Sequence, residues 1–387
     1  MTAGPTSATR PHNRKQLIVE AAGQVFSERG YHAASMEEIA AGVGISAAAL
    51  YRHFPNKYAL FAECANVMVD RLVAVLDQWP PESPLKDVLA ALTRVTVAHR
   101  ASGGLYRWEA RYLDRDDRRQ LRAKFGQVVG RVTELVAREF PMPEEGLRAV
   151  AALGAIGSVT MHHTSIAQRR VEEMLVASAL RVAATDPAAA AGSAGLVELP
   201  AQPVPRTRRA EILAAAIPLF ARDGFANVTN GQIAQAVGLA PSAIYRHYPG
   251  KVDILVAACL QAAGLLAQAV DRSLHQATDP DQAVVALTAA YVAYSFEHNA
   301  LTSVAEAEIV GLPPDLQRPL ILAQREHIAV WEQQLRLSRP DLDRRQARLL
   351  AHAGLGVVVE AGRALRWRDT PENRDAVTAL VIGSLTG

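Results

Sequence analysis

The chain has 387 residues and a formal net charge of +2; half of its residues are apolar but only 5% are aromatic. That length predicts two domains or two pairs of subdomains, and so small a net charge excludes any inference of a nucleic-acid or membrane partner from total charge. Alanine carries much of the apolar share, which favours close-packed helices over sheets, and two cysteines, Cys64 and Cys259, are too few for a disulfide framework and read as small buried residues in a reducing compartment.

Residues 1–12 read as a flexible basic arm with no apolar core, and so not as a signal peptide. A helix is predicted from Asn13 to Arg29, because Leu17, Ile18, Ala21, Ala22, Val25 and Phe26 recur at helical spacing, and Gly30 ends it. Ser35 and Glu38 form a capping box that opens a second helix at Met36, ending near Val43 and Gly44. Ser46 caps a short third helix from Ala47 to His53. Pro55 stops it, and Asn56 caps a fourth beginning at Lys57. Residues 13–57 are thus one small domain. Residues 58–184 carry amphipathic helical pattern with breaks at Trp79-Pro80-Pro81, Ser102-Gly103-Gly104 and Pro141-Met142-Pro143. Residues 185–205, rich in Pro, Ala and Gly, read as an extended linker.

Residues 206–251 then repeat the first domain. Tyr51-Arg52-His53-Phe54-Pro55-Asn56-Lys57 returns as Tyr245-Arg246-His247-Tyr248-Pro249-Gly250-Lys251, an offset of 194 that also pairs Phe26 with Phe220, Gly30 with Gly224, Ile39 with Ile233 and Gly44 with Gly238. A fixed long period marks duplicated domains. The second copy solves the same problems with other residues: Thr229 and Gln232 as capping box, Pro241 at a first helical position behind Ala240, Gly250 in place of Asn56. Pro218 lies inside the helix expected from Arg208 to Arg222, where proline costs about 3 kcal/mol, so a kink is expected. Residues 252–387 return to helical pattern, broken at Thr278-Asp279-Pro280, Gly311 to Pro314, Arg339-Pro340 and Thr370-Pro371. No segment reads as a strand, so the predicted fold class is all-α. The longest weakly polar run, Ala149 to Met161, is too short to span a bilayer, which predicts a soluble, cytoplasmic protein.

Two short helices joined by a tight Gly-containing turn form a helix-turn-helix, whose second helix enters the DNA major groove by its N-terminal residues. Here those are Ala47, Ala48 and Ala49, and Pro241, Ser242 and Ala243. Lysine at a helix start opposes the macrodipole, but suits a site where an anion binds, so Lys57 and Lys251 are candidate phosphate contacts. Tyr51, His53, Tyr245 and His247 are further candidate donors, with core packing as the competing reading of the tyrosines. Arg10, Arg14 and Lys15, and likewise Arg206, Arg208 and Arg209, could follow the backbone or enter a minor groove. Trp108, Arg111 and Tyr112 could line a pocket, against core packing and surface ion pairs as the plainer reading. His162 and His163 point about 100° apart on a helix and make no bidentate metal site. With no metal-ligand spacing, no Gly-rich phosphate loop and no nucleophile elbow, no metal, no cofactor and no enzyme activity are expected.

Both repeats resemble the DNA-binding domain of the TetR family of bacterial transcriptional regulators, over residues 14–61 and 208–255. The tandem arrangement is similar to double-TetR repressors of actinobacteria, including those controlling lipid- and sterol-uptake operons, and the stretch from Trp108 to Arg118 is part of that similarity. The resemblance implies two units, each a helix-turn-helix plus a helical ligand and dimerisation domain, folded as an intramolecular pseudo-dimer in which the last two helices of each half, about 147–170 with 171–184 and 342–368 with 372–385, pack as a four-helix bundle. It implies DNA contacts at Ser35, Met36, Ser46, Ala47, Ala48, Ala49, Tyr51, His53 and Lys57, and at Thr229, Asn230, Gly231, Ala240, Pro241, Ser242, Ala243, Tyr245, His247 and Lys251. Two unlike readers imply an imperfect palindrome as operator, and apolar composition together with the resemblance implies release by a small lipid-like effector. The alternative is a DNA-binding protein with no effector, structural or controlled by a partner.

Overall fold

The computed structural model describes residues 14–108, 112–192, 197, 199–201, 204–309 and 312–386, without the side chains of 107, 108, 306 and 307. The arm at 1–12 with Arg10, the candidate Arg111, the Trp108 side chain, Gly311 and parts of the expected linker lie outside the described residues. Every regular element described is a helix. The first half runs α1 (Arg14–Ala33), α2 (Met36–Gly42), α3 (Ala47–Tyr51), α4 (Lys57–Leu76), α5 (Leu85–Ala98), α6 (Leu105–Trp108), α7 (Arg115–Glu139), α8 (Glu145–Gly157) and α9 (Gln168–Ala184). The second runs α10 (Arg208–Asp223), α11 (Asn230–Ala236), α12 (Pro241–Ile244), α13 (Lys251–His275), α14 (Pro280–Glu297), α15 (Asn299–Glu308), α16 (Pro314–Ser338), α17 (Arg344–Ala364) and α18 (Pro371–Leu385).

The starts are where the caps put them. Ser35 accepts from the Glu38 amide at 3.1 Å and Asn56 from the Ala59 amide at 2.8 Å. In the first repeat the box is only half made, because Glu38 turns to Arg29 (2.7 Å); in the second, Thr229 and Gln232 complete theirs. Gly30 and Gly224 hold φ of 74° and 80°, a region that any side chain strains, and the regular helix ends at both. α10 is assigned unbroken through Pro218. Other boundaries differ from expectation. α8 stops at Gly157, followed by a 3-10 turn at Ser158–Thr160, and α17 stops at Ala364, followed by Arg366 and Trp367 at positive φ. The linker opens with a 3-10 turn at Pro187–Ala190 that buries Pro187 and packs against α18, where Asp375 accepts from the Gly192 amide at 2.8 Å. α13 is long and apolar enough, by length and composition, to cross a membrane, a feature the run-length reading missed; here it packs against α14, α15 and α16.

Each small domain has its own core, Ile18, Phe26, Ile39, Leu50 and Phe61 in one and Ile212, Phe220, Ile233, Ile244 and Leu255 in the other. The cores continue into the helices beneath, through Leu105, Leu113 and Leu121, and through Val304, Leu312 and Leu320, so each small domain is packed on its helical body. A third core crosses from one half to the other. Its most extensive helix contact is α8 against α17, with α9 and α18 alongside, a four-helix arrangement of the expected elements. The α8–α17 crossing is closed by Gly154 facing Gly356, where a Cβ on Gly154 would stand 2.5 Å from the Gly356 carbonyl oxygen. At the end of α18, Ser178 of α9 donates to the Ser384 carbonyl (2.9 Å), and Arg181 donates to the carbonyls of Gly383 and Ser384 (3.2 and 3.1 Å), a cation where the helix macrodipole is negative.

Candidate nucleic-acid interface and the cavity behind it

The candidate reading faces are largely exposed, with small residues at the starts of α3 and α12 and polar side chains around them. Ser46, Ala48, Tyr51 and His53 are exposed on one, with Ala47 and Ala49 half-buried. Thr229, Ala240, Pro241, Ser242 and Tyr245 are exposed on the other, with Asn230, Gly231, Ala243 and His247 half-buried. Tyr51 and Tyr245 are 46% and 59% exposed, which sets aside the reading of both as core residues. Asn230 donates to the Tyr245 hydroxyl at 3.1 Å, so these two act as one polar unit; the first repeat has Met36 in place of Asn230. Met36 itself is a correction: it is buried in the first core, and its side chain offers nothing to DNA. Ser35 and Ser46 spend a lone pair each on capping, with Ser46 accepting from the Ala49 amide at 3.2 Å.

The lysines have a different partner from the one their position suggested. Lys57 Nζ donates to the carbonyls of Tyr31 (2.9 Å), His32 (3.3 Å) and Ala34 (3.1 Å), and lies 4.8 Å from the Tyr31 ring centroid. Lys251 Nζ donates to those of Phe225 (2.6 Å), Ala226 (3.3 Å) and Val228 (2.7 Å), 4.4 Å from the Phe225 ring centroid. The six acceptors keep the 194-residue offset. Each ammonium therefore closes the turn between the first two helices of its domain, with all three protons engaged. Burial pulls both lysines below their ordinary value. Of the other cations, Lys15 pairs with Glu63 (2.8 Å) above the Phe54 ring, and Arg209 lies 3.9 Å from the Tyr248 ring centroid and donates to the His247 carbonyl. Arg208 pairs with Glu211 (2.6 Å), while Arg14 and Arg206 stand exposed.

Tyr112 stacks on Tyr31 (5.6 Å between centroids) and meets His32 edge-on (4.7 Å). It packs against the first small domain, the plainer of the two readings for this residue, and is not among the residues lining the large cavity. The cavity, about 600 Å³, opens among α13, α14, α15, α16 and α17 and is mostly apolar, with Leu266, Val270, Leu355 and Val359 in its wall. Its far wall comes from the first half: Phe26, Ser27 and Gly30 of α1, then Gly104, Leu105, Thr160 and Met161. Nothing in the periodicity announced it, because the wall combines helices more than 200 residues apart in sequence.

Histidines gather at the cavity's polar side. His327 and His352 line it, and His162 stacks on His352 at 4.0 Å. Burial pushes His327 and His352 down to about 4 each, with Arg348 adding to the effect at His352; His162 is also lowered, by burial first and then by His352, with Arg100 contributing. The folded state thus keeps these rings neutral, while the unfolded chain takes up protons near pH 6.5. Their contribution to stability is fully present above pH 6.5 and falls as the pH drops from there towards 4, by up to about 3 kcal/mol for each of His327 and His352. A thermal melt series over that range is expected to show the loss, and His352→Gln is expected to flatten it.

A description of bacterial regulatory proteins of the tetR family matches residues 18–64 and again 212–258. The chain is 45% identical over 69 residues to the HTH-type transcriptional activator FasR of Mycolicibacterium smegmatis, covering 18% of this chain and 31% of that one. It is 30% identical over 111 residues to the HTH-type transcriptional repressor KstR2 of Mycobacterium tuberculosis, covering 27% and 56%. A solved structure of the ketosteroid transcriptional regulator KstR2 of Mycobacterium tuberculosis matches with a TM-score of 0.43 at 19% identity, covering 49% of this chain and 100% of that chain. The chain spans less than half the length of the first relatives it matches, at 31%, 43% and 42%. Both matched segments fall on the two small domains, α1 to α4 and α10 to α13, so the chain carries the N-terminal domain of the tetR family of bacterial regulatory proteins twice.

Proposed function

We propose that one chain reads its operator as a pseudo-dimer and represses transcription until a small apolar effector releases it. In this reading residues 13–57 and 206–251 are the two heads, 58–184 and 252–387 their helical bodies, and 185–205 the connection. The observation that carries it is the pair of exposed, unlike reading faces, Tyr51 with alanines and Tyr245 with Asn230 and Ser242, joined through a core common to both halves. A two-fold dimer presents identical heads and favours palindromes; unlike heads favour an imperfect palindrome or two unlike half-sites. Alanines touch thymine methyls, and Ser46, Ser242 and Asn230 supply the polar readout, so phosphate contacts and DNA shape carry much of the affinity. The 600 Å³ cavity favours the effector-controlled reading over an effector-free DNA binder. The site of action is the cytoplasm, where the operator is.

A footprint on the DNA upstream of its own gene, with the mass of the complex, tests this. The expected result is one chain covering two unlike half-sites, with Tyr51→Ala weakening protection of one and Tyr245→Ala the other. Two chains on a true palindrome, with one tyrosine indifferent, would refute the pseudo-dimer.

A further inference from the structure

The cavity is not the property of one half. Its wall is built from α13, α14, α15, α16 and α17 of the second half and from α1, the Gly104-Leu105 turn and the Thr160-Met161 segment of the first. The α1 residues lie at the end of the first reader's leading helix, just before the turn that Lys57 clamps. Ser27 Oγ in that wall is buried and has no hydrogen-bond partner. His327 Nε2 accepts from the Trp331 indole N–H at 3.1 Å, which places the proton of the neutral ring on Nδ1 and makes that atom a donor. Polar groups left without partners in an apolar chamber are costly, and an oxygen-bearing ligand satisfies them.

The charge of the wall narrows the class of ligand. Its charged members are Asp271 and Glu326, and no lysine or arginine stands among its described lining residues. A carboxylate or a phosphate would enter without a counter-ion and beside two acids, which desolvation makes unfavourable. We infer that one neutral, largely apolar molecule carrying a hydrogen-bonding oxygen occupies this shared cavity, bridging the second helical body to α1 of the first reader. Binding then acts on the first reader directly, through Ser27 and Gly30, and so couples one effector to the relative placement of two unlike heads. This rests on the reading of the chain as an effector-controlled DNA binder and gives its effector a charge class and a site.

Binding of oleyl alcohol, oleate and oleoyl-CoA to the DNA-free protein, three probes with one tail, tests it by native mass spectrometry and fluorescence titration. Oleyl alcohol is expected to bind at one per chain and more tightly than the two anions. Ser27→Leu, which fills the first-half wall, and Ala263→Phe, which fills the second, are each expected to weaken it about tenfold or more. Ser27→Ala adds no bulk, keeps the fold, and is expected to weaken it a few-fold, which preserves the test if Ser27→Leu does not fold. Two molecules per chain, tighter binding of oleate or oleoyl-CoA, indifference to both Ser27 variants, or no binding of the alcohol would each overturn the inference. None of these outcomes touches the ligand-free footprint, so failure here and failure of the pseudo-dimer reading are separable.

Discussion

Gly154→Val should destabilise the protein by about 3 kcal/mol or more and, with it, abolish operator binding at physiological temperature. The reason is what a side chain would meet. A Cβ at Gly154 stands 2.5 Å from the Gly356 carbonyl oxygen, 3.1 Å from its carbonyl carbon and 3.1 Å from the Glu360 Cβ. A Cβ at Gly356 runs into the Gly154 carbonyl in return, and comes to 3.0 Å from the Ser158 Cβ. The nearest atoms are backbone, so no rotamer change relieves them; α8 and α17 must move apart, and the core common to both halves opens with them. Gly126 in α7 is the control, because its added Cβ would meet nothing within 4 Å. Gly126→Ala should gain up to about 1 kcal/mol from helix propensity. Urea unfolding of both variants decides it: a Gly154→Val protein as stable as Gly126→Ala would mean that the halves do not meet along this line.

Lys57→Met and Lys251→Met should each cost about 3 kcal/mol, confined to the reader that carries the change. Each removes a cation from three carbonyl oxygens, and hydrogen bonds to charged groups are worth about 1.5–3 kcal/mol where the partner is left unsatisfied. Methionine keeps the length and apolar stem, and still packs on Tyr31 or Phe225, so the loss reports the ammonium. Amide exchange should rise between residues 30 and 36 in the first variant and between 224 and 230 in the second. A phosphate contact predicts something else: unchanged exchange, weaker DNA binding, and a salt dependence reduced by about one counter-ion. The same measurement on both variants therefore separates a structural clamp from a DNA contact.

The Lys57 turn also shows where reading the sequence stops. That both repeats keep lysine at a helix start was legible, and so was the oddity of a cation at that position. The partner was not, because Tyr31, His32 and Ala34 present backbone oxygens, which carry no trace in side-chain identity. Met36 follows the same logic. Its place beside a cap matched a contact position, but burial depends on how α2 lies over α1 and α4. Tyr112 sat in a stretch rich in groups suited to a pocket, and packs on Tyr31 and His32 instead.

Sequence by itself determined the local and the periodic: an all-helical chain, a domain stated twice at a fixed offset, helix starts set by Ser35, Asn56, Thr229 and Pro241, and turns closed by Gly30 and Gly224. Such features depend on a residue and its neighbours within a few positions, where caps, glycine conformations and helical spacing act. Tertiary structure alone decided which carbonyls the lysines clamp, that Gly154 and Gly356 meet, and that one cavity is walled by both halves. Those contacts join segments that sequence spacing does not relate, and their geometry is set by the packing of whole helices rather than by any residue's own preference.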